Sequence, residues 1–227
     1  MADLIITIDG PAASGKSTAA RLLARKLGAS FLDTGAMYRA VTLAAMRAGV
    51  DLNDEQKLLD ITQTCKFQFS VKAGKTTVRI DNTDVTEQIR SPEVTANARY
   101  IAAAPGVREK LVQMQRQFAA DRHKIVTEGR DQGTVAFGDA NVKFYLTADS
   151  TERARRRLSE LQDKSDAGSV ENIQKAIEER DKSDQSRAVG PLKPAEDAIV
   201  VDTTNMSIEQ VVETLACHVK KKCSKKT

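Results

Sequence analysis

The stretch IDGPAASGKSTAARL, Ile8 to Leu22, constrains this chain more than any other. It follows a short apolar run, Leu4–Ile8, which reads as a buried strand. It leads into an Ala/Leu/Arg-rich segment that reads as a helix over Lys16–Leu27, with Gly28 as its stop. Gly10-Pro11-Ala12-Ala13-Ser14-Gly15-Lys16-Ser17 fits the spacing GxxxxGK[ST], with Thr18 next. The physical need behind that spacing is specific. A polyphosphate packs several negative charges into a few ångströms, and backbone N–H groups must converge on it. Glycine removes the side chains that would obstruct the approach and permits positive φ. The helix that begins at Lys16 adds its positive end. Lys16 supplies a mobile charge for the β- and γ-phosphates, and the Ser17 hydroxyl is a ligand for Mg²⁺. A strand before the motif and a helix after it are the context it requires, so the chain is expected to bind ATP or GTP.

The rest of the pattern sets the fold class. The 227 residues suit one globular domain with an inserted subdomain. Aromatic residues are 4% of the chain and Trp is absent, so aliphatic side chains must fill the core. Short apolar runs at Phe31–Leu32, Ile125–Val126, Val142–Leu146 and Ala198–Val201 join Leu4–Ile8 as strands. Helical patterns separate them: Ala36–Ala48, a helix capped by Asn53 and running to about Thr64, one opened by Ser91-Pro92, Val107 to about Ala120, an arginine-rich helix after Asp149, Val170–Lys182, and a last helix capped by Ser207 and Gln210. This alternation predicts an α/β fold with a five-stranded parallel sheet flanked by helices. Between Thr64 and Ile89 the period changes to two. Lys66–Val71 and Lys75–Ile80, joined by a turn at Ala73-Gly74, predict a small antiparallel β insertion.

Several classes are excluded or disfavoured. No apolar segment is long enough to span a membrane. The start, MADLIITIDG, lacks the features of a signal peptide. Cys65, Cys217 and Cys223 show neither disulfide nor zinc spacing, which points to the cytoplasm. Net charge is +4, but five lysines at 220–222, 225 and 226 account for it. That tail is read as a solubilising terminus rather than a nucleic-acid site. His123 and His218 are read as surface residues. A GTPase would show an NKxD guanine reader and a DxxG segment, and neither occurs in a fitting place.

A phosphotransferase needs a second anion site for its acceptor, and three arginine-bearing stretches offer one. Asp33-Thr34-Gly-Ala-Met-Tyr-Arg39 and Glu128-Gly-Arg130-Asp131-Gln-Gly-Thr134 follow candidate strands, where ligands collect in open α/β sheets. Arg180, Asp184 and Arg187 recur at i, i+4 and i+7 on one helix face, a spacing that a solvated salt-bridge ladder shares.

GPAASGKS, LDTGAMYR, EGRDQGTV, ERDKSDQSR and AVGPLKPAEDAIVVDTT together resemble the bacterial cytidylate kinases, in order and over nearly the whole chain. The resemblance implies a P-loop kinase that transfers the γ-phosphoryl of ATP to CMP or dCMP, with Mg²⁺, as a cytoplasmic monomer. It implies a core of residues 1–35 and 90–227, an acceptor-binding subdomain over 36–89 that holds the β insertion, and a helical lid over about 150–168. Gly10 to Thr18 would hold ATP. Arg39 and Arg130 would bind the acceptor's α-phosphate, with Ser14 assisting. Thr34 stands where the family often has Ser. Arg180 and Asp184 would hold the ribose, and Arg187 would sit between the nucleotides. Arg108 and Asp131 would read cytosine, a guanidinium donating to its N3 and O2 acceptors and a carboxylate accepting from its amino group. Arg99 departs from the small hydroxyl residue that some members carry near the base. Of the lid arginines, Arg153 and Arg157, spaced i, i+4, are expected to face the transferred phosphoryl. Asp131 and Asp202 are candidate carboxylates for Mg²⁺ beside Ser17.

Overall fold

The computed structural model describes residues 2–72, 75–162 and 169–224. The elements run β1 (Leu4–Asp9), α1 (Lys16–Leu27), β2 (Ser30–Asp33), α2 (Thr34–Arg47), α3 (Glu55–Thr64), β3 (Phe67–Lys72), β4 (Lys75–Ile80), β5 (Thr83–Asp84), α4 (Pro92–Ala103), α5 (Pro105–Ala120), β6 (Lys124–Gly129), β7 (Val142–Thr147), α6 (Ser150–Gln162), α7 (Val170–Gln185), β8 (Ile199–Asp202) and α8 (Ile208–Ser224). Five strands form one sheet in the order β2-β6-β1-β7-β8, and β3-β4-β5 form a second, small one. This is the α/β architecture that the alternation of apolar runs and helical patterns predicts. The turn at Ala73-Gly74, the end of the lid segment (residues 163–168) and the last lysines lie outside the described residues.

The chain divides into two compact units. One comprises the residues up to Asp3 with Ser30–Ile125; the other comprises Leu4–Ala29 and the chain from Val126 onward. In the first, α2 presents Ala36, Ala40 and Ala44 at i, i+4 and i+8. These small side chains share one helix face and admit Val78, Ile80, Val85 and Ile89 of the β insertion. The β3–β4 register pairs Phe67 with Ile80 and Phe69 with Val78. Because side chains alternate along a strand, that register sends all four toward α2.

In the second unit, β1 pairs in parallel with β7, and β7 with β8. β1 is buried along nearly its whole length, as a mainly apolar run in a covered parallel sheet should be. α1 packs against α8, where Lys26 and Glu213 form an ion pair. Gly28 ends α1 in the left-handed conformation, its N–H returning to Ala24 and Arg25 carbonyls.

Three helix caps follow the sequence reading. Ser91 accepts from Val94 N at 3.2 Å. Asp149 accepts from Thr151 N at 2.8 Å. Ser207 and Gln210 cap reciprocally, Ser207 N donating to Gln210 Oε1 at 2.8 Å and Gln210 N to Ser207 Oγ at 3.3 Å. One cap differs: α3 is capped by Asp54, which accepts from Lys57 N, while Asn53 donates both its amides to Asp51. Two adjacent Asx residues compete for one cap, and the outer one closes a turn instead. Among the described residues no helix is long and apolar enough to cross a membrane.

Candidate active site

The loop after β1 turns on three positive-φ residues, Gly10, Ala13 and Gly15. A Cβ on Gly10 would come 2.1 Å from the Leu146 carbonyl oxygen, so only glycine lets the loop leave β1 beside the end of β7. Gly15 precedes α1 at φ 81°, and no side chain caps the helix. Lys16 is buried and folds back to donate from Nζ to Pro11 O at 2.9 Å. Burial pushes its pKa down to about 7; the Arg130 and Arg180 charges push the same way, against Glu128 and Asp181. Ser14 is fully buried, and its Oγ has no hydrogen-bond partner among the described residues. Ser17 Oγ donates to Glu128 Oε1 at 2.9 Å. A hydroxyl beside a carboxylate is a hard oxygen donor set of the kind Mg²⁺ takes, so Ser17 and Glu128 fit that ion. Asp202, one of the two candidates from the sequence, is exposed and bonds Thr204 N at 2.9 Å.

Behind this loop lies the segment that follows β6. Arg130 donates from Nε to Asp184 Oδ2 at 2.6 Å, and Arg187 pairs with Asp184 Oδ1. Two guanidinium groups thus share one carboxylate that is 3% exposed, which leaves net positive charge for an anion. Arg180 lies one turn earlier on α7, close enough to act on Lys16 electrostatically. Of the residues whose spacing predicts a shared helix face, Asp184 is buried and paired with Arg187 and Arg130, while Arg180 is exposed.

Asp131 is buried and begins a π-type turn, in which Ala136 N reaches Asp131 O and Phe137 N reaches Gln132 O. Asp9, the last residue of β1, holds that turn from behind. Its two oxygens accept from Gln132 N at 2.9 Å and Gly133 N at 2.7 Å. Burial pushes the Asp9 carboxyl up to about 7 although both amide bonds pull it down. A Cβ on Gly133 would meet Thr7 Oγ1 at 2.9 Å, so the turn fits its seat only with glycine.

The lid arginines divide. Arg153 is buried and donates to Ala148 O and Ala12 O, both at 3.1 Å, and pairs with Asp181. Arg156 donates to Thr203 Oγ1 at 3.1 Å and Thr203 O at 2.7 Å, and its Nη1 would lie 3.8 Å from a Cβ on Gly15. Thr203 in turn reaches Ser14 O at 3.3 Å, tying the segment after β8 to the loop. Arg157 is half-buried and pairs with Glu160; Arg155 is exposed and 4.0 Å from Glu152.

In the other unit, Asp33 accepts from Ala36 N at 2.8 Å as the cap of α2, and lies 3.5 Å from Arg39 and 4.0 Å from Arg90. A Cβ on Gly35 would come 3.0 Å from Arg39 Nη1, so Gly35 gives Arg39 room to fold back. Thr34 is buried at the start of α2. Arg108 is buried, donates to Ala102 O at 3.3 Å, and lies 5.7 Å from the Tyr38 ring centroid. Arg99 is exposed, stacked over Tyr100 and bonded to its hydroxyl at 3.2 Å.

Residues 6–221 match the family model for cytidylate kinase. The chain belongs to the cytidylate kinase family. It is 47% identical to a cytidylate kinase of Limosilactobacillus reuteri over 96% of each chain, and 46% identical to one of Desulforamulus reducens over 95% of this chain and 96% of that one. A solved structure of an uncharacterised protein from Eubacterium ventriosum shares the fold at TM-score 0.52 and 10% identity, covering 96% of this chain and 99% of the other. The chain is therefore a kinase.

Within this cytidylate kinase frame, four carboxylates escaped the sequence reading. Glu128, Asp181, Asp9 and Asp33 each bond a residue that was singled out or a backbone group beside one. Glu128, Asp33 and Asp181 stand inside the motifs EGRD, LDTG and ERDKSD. Arginines attract notice there, and the acids beside them pass as mere neighbours. Asp9 had a signal too, as a charge ending an otherwise apolar buried strand.

Proposed function

We propose that this kinase transfers the γ-phosphoryl group of ATP to CMP or dCMP, giving CDP or dCDP and ADP, with Mg²⁺. The observation that carries the reading is a pairing inside one compact unit. A phosphate loop bears Lys16 and the Ser17–Glu128 pair, and beside it Asp184 gathers Arg130 and Arg187. One set suits a polyphosphate and the other a second anion, as a transferase requires and a simple nucleotide switch does not.

Gly10–Thr18 cradle the donor. On phosphate binding, Lys16 exchanges the Pro11 carbonyl for phosphate oxygens. Ser17 and Glu128 would hold Mg²⁺, which supplies charge neutralisation across the phosphates when bound. Arg130 and Arg187, held by Asp184, grip the acceptor phosphate; Arg39, held by Asp33, is assigned to the same group. Arg180 and Asp184 are assigned to the ribose, and Thr34 to the acceptor. Arg108 and Asp131 are assigned to the cytosine edge. The acceptor phosphate is already an anionic nucleophile at neutral pH, so no side chain must form a covalent intermediate. Catalysis comes from in-line placement and from stabilising charge on the transferred group. Arg156, beside Gly15, joins Arg157 as a candidate for that charge. Loss of a transfer-stage arginine is expected to slow turnover by roughly 10³-fold, as for arginine fingers.

The test is ADP release from Mg-ATP with CMP, dCMP, UMP, AMP or GMP in separate reactions. CMP and dCMP should be preferred. Preference for another acceptor, or release that ignores the acceptor, would reject the reading.

A further inference from the structure

The phosphate loop and the α6–α7 helices meet at one residue, Ala12. Asp181 of α7 accepts the Ala12 N–H at 3.1 Å. Arg153 of α6 donates to the Ala12 carbonyl at 3.1 Å, and the two side chains pair with each other. A further bond, from Arg153 Nε to Ala148 O at 3.1 Å, fixes the guanidinium at the root of its own helix. Asp181 is 7% exposed and Arg153 8%. Ala12 itself packs in an apolar cluster with Ala154 and Ile177, against which Ala13, Val170 and Ile173 lie.

Both backbone polar groups of a single loop residue are therefore held by a buried ion pair drawn from two helices. A buried ion pair is a poor way to gain stability alone, because desolvation offsets most of its attraction. What it supplies is geometry. Ala13, the next residue, sits at φ 57°, a left-handed conformation that a non-glycine residue keeps only where its surroundings enforce it. Pro11, the preceding residue, carries the carbonyl on which Lys16 Nζ rests. A shift at Ala12 would thus move the strained turn on one side and the seat of the lysine on the other.

We propose that Asp181 and Arg153 are positioning residues for the donor: by clamping both faces of the Ala12 peptide groups they set the course of the phosphate loop before the nucleotide arrives. This rests on the reading that the loop holds ATP. Their effect acts through Ala12 on the donor side, so substrate use should respond asymmetrically.

The experiment uses the full chain with Asp181→Asn, Arg153→Met and the double variant. KM and kcat are measured for ATP and for CMP, each varied at saturation of the other. Urea midpoints report folding, and calorimetry reports binding of a non-hydrolysable ATP analogue without acceptor. The single variants should lose about 10²-fold in kcat/KM for ATP, the cost of a misplaced loop, while KM for CMP stays within about twofold. The double variant should be no worse than the poorer single one, because it strands no buried charge. Unchanged kcat/KM for ATP in folded variants overturns the proposal, as does a proportionate rise in both KM values. Should Asp181→Asn fail to fold, Arg153→Lys keeps the charge but loses the fork that reaches two carbonyls. It must then show the same ATP-selective loss. If wild type releases no ADP from ATP and CMP, the functional reading fails, and analogue binding by wild type against the variants still decides the clamp.

Discussion

Lys16 shows how a binding site sets a residue's protonation before any ligand is present. Burial, then the Arg130 and Arg180 charges, hold its pKa at about 7. The ammonium is the form that phosphate requires. A bound triphosphate surrounds Lys16 with negative charge and must raise that pKa toward its ordinary range. ATP binding at about pH 8 to 9 should therefore take up close to one proton, and affinity should fall as pH rises above about 7. Calorimetry in buffers of different ionisation enthalpy reads the uptake directly. Lys16→Met should abolish it, and an uptake that persists in that variant assigns the proton elsewhere. At the same scale, Glu128 accepts from Ser17. Glu128→Gln should weaken apparent Mg²⁺ affinity about tenfold, as loss of an oxygen ligand or its support does. Metal-free ATP binding should change little. A Mn²⁺ titration in the presence of an ATP analogue separates the two effects.

Among elements, the decisive one is α7, which brings Arg180, Asp181 and Asp184 to the loop and to the end of β6, with Arg187 just past its C-terminus. Arg130→Ala and Arg39→Ala should raise KM for CMP by roughly tenfold to hundredfold, the size of a lost charge-assisted hydrogen bond, with KM for ATP much less affected. Asp184→Asn should reproduce the CMP defect without touching an arginine, since it frees Arg130 and Arg187 from their shared anchor; normal CMP kinetics in that variant would show the anchor to be dispensable. This contrast also explains what was legible in the sequence. Strands, helices and most caps announce themselves through short-range rules, as Ser91, Gly28 and Ser207–Gln210 do. The spacing of Arg180, Asp184 and Arg187 gave a shared face but left open whether solvent or a ligand lay on it. Partners from distant segments carry no local signature. Glu128 meeting Ser17, Asp181 meeting Ala12, and Asp9 holding Gln132 and Gly133 each join residues more than 100 positions apart in the chain. The π-type turn after Asp131 was illegible for the same reason, because Asp9 on another strand holds its amides.

At the scale of the whole molecule, the same buried charges that prepare the site make stability depend on pH. Asp9 has a folded-state pKa of about 7 against 3.8 for the free carboxyl. Between those values the folded chain holds a proton that the unfolded chain has lost, so this group's contribution falls as pH rises and is gone above about 7. Lys16 runs the other way. Its folded pKa is about 7 against 10.5, so above 7 the unfolded chain holds the extra proton and stability rises with pH toward 10.5. Together these two neighbours of the phosphate loop make a contribution to the stability of the ligand-free protein that is smallest near neutral pH. Each limb has a limiting slope of about 1.4 kcal/mol per pH unit. Urea unfolding at about pH 5, 7 and 9 reads both limbs, with the other titrating groups cancelling between variant and wild type. Asp9→Asn should flatten the acid limb, and Lys16→Met the alkaline one, each leaving the other in place. An ATP analogue should fill in the minimum by keeping Lys16 charged and paired. If Asp9→Asn leaves the acid limb unchanged, the buried carboxyl is not what governs it.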